Sequence, residues 1–202
     1  SGMSKNKLVF EIEGLNASGA SSGTIARKGL GFDFNDDVWH HVVATYDGSE
    51  DVSGIKLYKD GAEFATYQDL SNNFIGPIAP NATIPFCIGG DLSNSNCNSS
   101  VRAFLGHIDE VSFFDSELDA SQVTAIYNSG EPTTITGAVA HWRLGEEATF
   151  STNWTIPDQV GSNDGTSSNM TIEDRVGNAP NSDNNSVSFN MVEADRETDV
   201  PS

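Results

Sequence analysis

The sequence predicts an all-β protein, a two-sheet antiparallel sandwich carrying one short helix. Two observations predict it. Short runs of β-branched and aromatic residues recur along the 202 residues, each closed by Gly, Asn, Asp or Ser. Only one segment replaces that two-residue period with a helical one.

Residues 8–13 alternate and stop at Gly14, and residues 39–46 stop at Asp47 and Gly48. Residues 55–59 and 62–67 flank Asp60 and Gly61, a pair that accepts the positive φ angles of a type I′ hairpin turn. Later strands are expected at 86–88, 104–114, 139–144 and 186–190. The helix is expected over 118–127, where Leu118, Val123, Ile126 and Tyr127 share a face. Asp119 or Ser121 caps it, and Asn128 to Gly130 with Pro132 stop it. Residues 145–185 are rich in Gly, Ser, Asn, Asp and Thr, so long loops or partial disorder are expected there. Residues 193–202 read as a frayed tail, and Ser1 and Gly2 before Met3 as a cleavage remnant.

The net charge is −19, with 10 Lys and Arg against 29 Asp and Glu. Phosphate backbones are repelled by such a surface, which excludes nucleic acid as a partner and disfavours anionic membranes. No apolar run reaches bilayer length, so membrane insertion by a helix is not expected. The acidity reads either as a solubilising surface or as carboxylates gathered on a hard cation. Cys87 and Cys97 bracket a polar, glycine-containing loop. A disulfide across that loop and two free thiols both fit, whereas no histidine stands at zinc-ligand spacing.

Three blocks carry a resemblance. Asp37-Val-Trp-His-His-Val-Val-Ala-Thr-Tyr-Asp-Gly48, Ile55-Lys-Leu-Tyr-Lys-Asp-Gly61 and Phe104-Leu-Gly-His-Ile-Asp-Glu-Val111 are similar, in order and spacing, to the laminin-G-like, concanavalin A-like jelly-roll family. Val139-Ala-His-Trp-Arg-Leu-Gly-Glu-Glu147, residues 158–165 and Ser186-Val-Ser-Phe-Asn190 resemble the opening elements of such a domain. The resemblance therefore implies later strands of a sandwich over 3–132 and first strands over 133–202. The late segment is expected to complete the same sandwich, as a permuted domain within one chain or by strand exchange in a homo-oligomer.

The family resembles both hydrolases and non-catalytic lectin-like modules. A hydrolase needs paired carboxylates on one face of a strand, but Asp109 and Glu110 are adjacent and expected on opposite faces. Glu11 and Glu13 share a face without a catalytic-looking strand around them. His40 and His41 are strand neighbours, one turned inward and one outward, with no nucleophile elbow. No catalytic residue is assigned.

The resemblance implies a structural Ca²⁺ held by Asp109, with Glu146, Asp158 and Asn163 as partners. Asx turns formed by Asp158, Asn163 and Gly165 are the competing reading of that loop. For a glycan, the candidate stacking aromatics are Trp154, Tyr67 and Phe74, while Trp39 and Trp142 are expected in the core. The expectation is a non-catalytic recognition or structural module for a glycan or surface protein, extracellular, within a larger cell-surface or virion protein. A glycoside hydrolase and a purely structural module are the alternatives.

Overall fold

The computed structural model describes residues 7–15, 21–74, 86–93, 96–99, 104–130, 135–177 and 187–191. The expected fold class is what it shows: short strands in several antiparallel sheets, with one α-helix among the described residues. The chain divides into two units, Ser1–Pro80 with Ser116–Thr133, and Asn81–Asp115 with Thr134–Ser202.

The first unit holds strands β1 (Val9–Leu15), β2 (Ser21–Gly29), β3 (Val42–Tyr46), β4 (Ile55–Lys59), β5 (Ala62–Glu63) and β6 (Tyr67–Asn72). They form two antiparallel sheets, ordered β1-β2-β6 and β3-β4-β5. Ile25 from the first sheet and Ile55 and Leu57 from the second are fully buried in one apolar cluster, with Phe10, Ile12, Ala44 and Tyr46 packed against it. Two sheets sharing a side-chain layer are the definition of a sandwich. Asp60 and Gly61 take φ of 51° and 78°, the two positive values that the type I′ turn requires.

Helix α1 (Ala120–Tyr127) belongs to this unit. Asp119 accepts from the Gln122 amide at 2.9 Å while the Gln122 side chain accepts from the Asp119 amide at 2.8 Å, a complete capping box. Val123 is fully buried beneath it, and Asn128 ends it in the left-handed region.

The second unit runs through β7 (Asp91–Ser93), β8 (Asn96–Ser99), β9 (Gly106–Ile108), β10 (Val111–Phe113), β11 (Ala140–Trp142), β12 (Thr149–Phe150), β13 (Trp154–Ile156), β14 (Gly165–Thr166), β15 (Arg175–Val176) and β16 (Ser188–Met191). Here strands far apart in sequence pair directly. β11 pairs antiparallel with β10, Val111 opposite Trp142, and β16 pairs with β9, Phe189 opposite Ile108. The core gathers Trp142, Leu144, Trp154, Ile156 and Phe189, the last fully buried.

Three expectations change. The single strand expected over 104–114 is two strands, broken at Asp109 and Glu110. Residues 86–88 are not a strand. The region 145–185 is not simply loop: its described part carries β12 to β15, strands of two or three residues. Elements that short give no readable alternation. The expected tail, 193–202, lies outside the described residues.

Truncating Leu57 to alanine, at a site with no exposed surface, is expected to cost about 2–5 kcal/mol, and Asp119→Ala about 1 kcal/mol through loss of the cap. Urea unfolding measures both; a Leu57→Ala midpoint equal to wild type would contradict the core assignment.

Candidate metal centre and binding cleft

Between β9 and β10, Glu110 adopts φ 51°, in the left-handed region that residues with a Cβ rarely visit. In an unbroken strand Asp109 and Glu110 would face opposite ways. The kink removes that alternation, and the expectation of opposite faces is corrected: ligand oxygens of Asp109, Glu110 and Glu146 all lie within 4.8 Å of one another. Two local devices bring Glu146 there. The β10–β11 register sets residue 143 alongside Glu110, and a tight turn at Gly145 carries the chain back. Gly145 sits at φ 140°, and a Cβ there would stand 3.0 Å from the Val187 carbonyl oxygen, so the turn excludes side chains. The Val187 amide then donates to Glu146 Oε1 at 3.1 Å.

The three carboxylates differ in surroundings. Glu110 Oε1 accepts from Arg143 Nε at 3.1 Å, and its Oε2 lies 3.1 Å from His141 Nε2. The far nitrogen of that imidazole is 2.8 Å from Ser112 Oγ. Burial pushes the Glu110 carboxyl upward, but His141 and Arg143 outweigh it and hold the group below the usual carboxylate range. At Asp109 the Arg143 charge is the weakest of the influences and is outweighed. The Oδ1 of Asp109 accepts from the Glu110 amide at 2.9 Å, while Oδ2 is buried and has no hydrogen-bond partner among the described residues. Burial first, then the charges of Glu146 and Glu110, push its carboxyl up to about 8.

A buried orphan oxygen amid carboxylates fits a hard divalent cation, which takes oxygen ligands and offsets their mutual repulsion. Asp109 and Glu146 would hold it, with Glu110 oriented by Arg143 and His141. Asp158 and Asn163 are not brought into this group. The Asp158 carboxylate instead accepts from the amides of His141, Val160 and Asn163 at 3.0–3.1 Å and from Asn163 Nδ2 at 3.1 Å. Burial opposes ionisation, yet those N–H donors keep the Asp158 carboxyl far below its ordinary range. A carboxylate so saturated by N–H groups closes a loop. The Asx-turn reading describes this segment.

The aromatics expected to stack on sugar are placed elsewhere. Trp154 lies in β13, 3 % exposed, between Phe150 and Phe189, with Nε1 donating to the Thr171 carbonyl at 2.7 Å. Tyr67 is half-buried under the Arg27 guanidinium, 4.8 Å from the ring centre, and its hydroxyl donates to Glu63 at 2.8 Å. Phe74 is half-buried against the core of the first unit. Cys87 is disulfide-bonded, and the side chain of Cys97 lies outside the described residues.

Aromatic faces are offered at another place in the second unit. A cleft of about 650 Å³ is lined by Phe86, Phe113, Val139, Trp142, Leu144 and Ile156, with Asn163, Asp164 and Thr166 along its polar edge. Phe86 and Phe113 are 60 % and 53 % exposed. Phe86 stacks on Trp142 at 5.6 Å and 16°, and Trp142 Nε1 is fixed by the Asn163 carbonyl at 2.9 Å. Among the described residues, Asp164 is the one ionisable side chain lining the cleft. Trp142 is 8 % exposed and belongs to the core, as expected, whereas Phe113 stands in a strand whose apolar residues the sequence places in a core, which is why it suggests no ligand there.

A laminin G family model described as the concanavalin A-like lectin/glucanases superfamily matches residues 4–124, more than half of the chain. The chain belongs to that superfamily. No curated protein and no solved structure matches it. The superfamily spans lectins and glucanases by its own description, so membership makes the chain a lectin-like or structural module in general terms. Among the described residues no helix is long and apolar enough to cross a membrane.

The raised Asp109 has a signed consequence. The folded, metal-free protein keeps a proton that the unfolded chain, with its ordinary value of 3.8, has already released. Stability from this group is therefore present at low pH and lost as pH rises through about 8. Thermal melts in chelator are expected to show Asp109→Asn overtaking wild type as pH rises from about 5 to 9. A difference between the two proteins that does not change with pH would contradict the placement of this carboxyl.

Proposed function

We propose that the protein is a non-catalytic recognition module that binds carbohydrate in the Phe86–Phe113–Trp142 cleft and carries a structural Ca²⁺ at Asp109 and Glu146. The observation that carries this reading is the cleft itself. Exposed aromatic faces next to Asn163, Asp164 and Thr166 suit a sugar, whose apolar ring face stacks while its hydroxyls need polar partners. The site works outside the cell, within a larger cell-surface or virion protein, a setting supported by superfamily membership and by the disulfide at Cys87. The cation would tie the strands at Asp109 to the turn at Glu146 by neutralising their charge, a stabilising role.

One observation favours a second reading, a glycoside hydrolase. Asp109, held protonated near neutral pH, has a Glu146 oxygen within 4.8 Å, and a retaining hydrolase separates its acid and nucleophile by about 5 Å. Against it, neither carboxylate lines the cleft. A third, purely structural reading predicts self-association without a ligand.

A glycan array followed by Trp142 fluorescence titration tests the first reading. Wild type is expected to bind an uncharged oligosaccharide, with Phe113→Ala weakening it about tenfold. Release of reducing ends would establish the hydrolase instead, and silence on the array with concentration-dependent association would establish the structural module. Isothermal titration with Ca²⁺ is expected to give heat with wild type and none with Asp109→Asn; equal heats would remove the metal from the account.

A further inference from the structure

We propose that His40 and Asp36 form a pH-gated latch, which ties residues 34–38 to the β4–β5 hairpin at acidic pH and releases them at alkaline pH. Both ring nitrogens of His40 face carboxylates. Nδ1 lies 3.0 Å from Asp60 Oδ2, and Nε2 lies 3.1 Å from each oxygen of Asp36. The ring is 11 % exposed and fixed by edge-on contacts to Phe32 at 5.0 Å and Phe34 at 5.7 Å. An imidazolium has two N–H donors and satisfies both carboxylates. A neutral imidazole has one, so its other nitrogen turns a lone pair toward an anion. Two carboxylates set against the two ring nitrogens form an arrangement that two N–H donors satisfy, and histidine is the side chain that changes its number of N–H donors in the physiological range.

The surroundings decide which contact opens. Asp60 is held independently of His40: its Oδ1 accepts from the His41 amide at 3.0 Å and its Oδ2 lies 2.5 Å from Lys59 Nζ. Among the described residues Asp36 has, besides His40, only a 3.3 Å contact from the Val38 amide in its own loop, and it is 41 % exposed. When the ring loses a proton, the remaining N–H stays on Asp60 and Asp36 lets go. The start of the loop stays anchored, because Lys7 Nζ donates to the Phe32 carbonyl at 2.7 Å and lies 3.4 Å from Asp33.

Other ionisable side chains stand near the ring. Lys59 Nζ sits 3.7 Å over the Phe32 ring. His41 turns its ring to Tyr127 at 5.8 Å, and burial pushes that imidazole down, toward the neutral form.

Amide exchange at residues 34–39, at about pH 5.5 and 8.5 and corrected for intrinsic rates, tests the latch in wild type and Asp36→Asn. An asparagine amide turns its oxygen to an N–H or its nitrogen to a lone pair, so the variant holds His40 in either state. Wild type is expected to exchange about tenfold faster at the higher pH, the value of one charge-assisted hydrogen bond, and Asp36→Asn equally at both. Wild-type rates that do not change, or a variant that changes as wild type does, would overturn the proposal.

Discussion

The register of β10 against β11 is the constraint on which the second unit depends. Setting Val111 opposite Trp142 puts Ser112 across from His141 and brings Arg143 to Glu110. That alignment decides which residues can meet. One strand comes from before residue 115 and the other from after residue 138, so the cation-binding geometry and the cleft both arise from non-local pairing. Phe113 and Trp142, from opposite strands of that pair, line the same cleft. The strain at Glu110 belongs to the same arrangement: a left-handed residue between two short strands is held there by Arg143 and His141.

The acidity of the chain has a local explanation that composition conceals. Asp158 closes a loop on three backbone amides, Asp119 caps a helix, and Asp51 caps a short 3₁₀ turn through the Ser53 amide at 2.8 Å. Asp51 is held down to about 2 by Ser53 and Asn72. Aspartate serves here as an acceptor for turn N–H groups, which loops need wherever strands are short. Among the described residues the buried Oδ2 of Asp109 lacks such a donor, and that contrast separates it from Asp158, Asp119 and Asp51.

Much of the first unit was legible in the sequence because its signals are local. The Asp60-Gly61 turn, the Ile55–Lys59 strand and the Asp119-capped helix each follow from a few adjacent residues. Strand β2 was not legible, since its run of Ser, Gly, Thr, Ala, Arg and Lys shows no apolar alternation beyond Ile25. At the site, the resemblance names Asp109 and Glu146, which the structure brings together, and Asp158 and Asn163, which it places on each other in a separate loop. Glu110 was set aside because periodicity assumes an unbroken strand, and nothing in Asp-Glu signals a positive φ. The cleft aromatics went unseen for a related reason: whether a strand residue faces a filled core or an open cleft depends on its distant neighbours.

The direct test of this account is whether β11 pairs with β10 of its own chain. A sample mixing isotope-labelled and unlabelled protein, examined by isotope-filtered NOE spectroscopy, separates contacts within one chain from contacts between chains. The account predicts Val111–Trp142 and Ile108–Phe189 contacts within a single 21.5 kDa chain. Those contacts appearing only between labelled and unlabelled chains, or not at all, would contradict it.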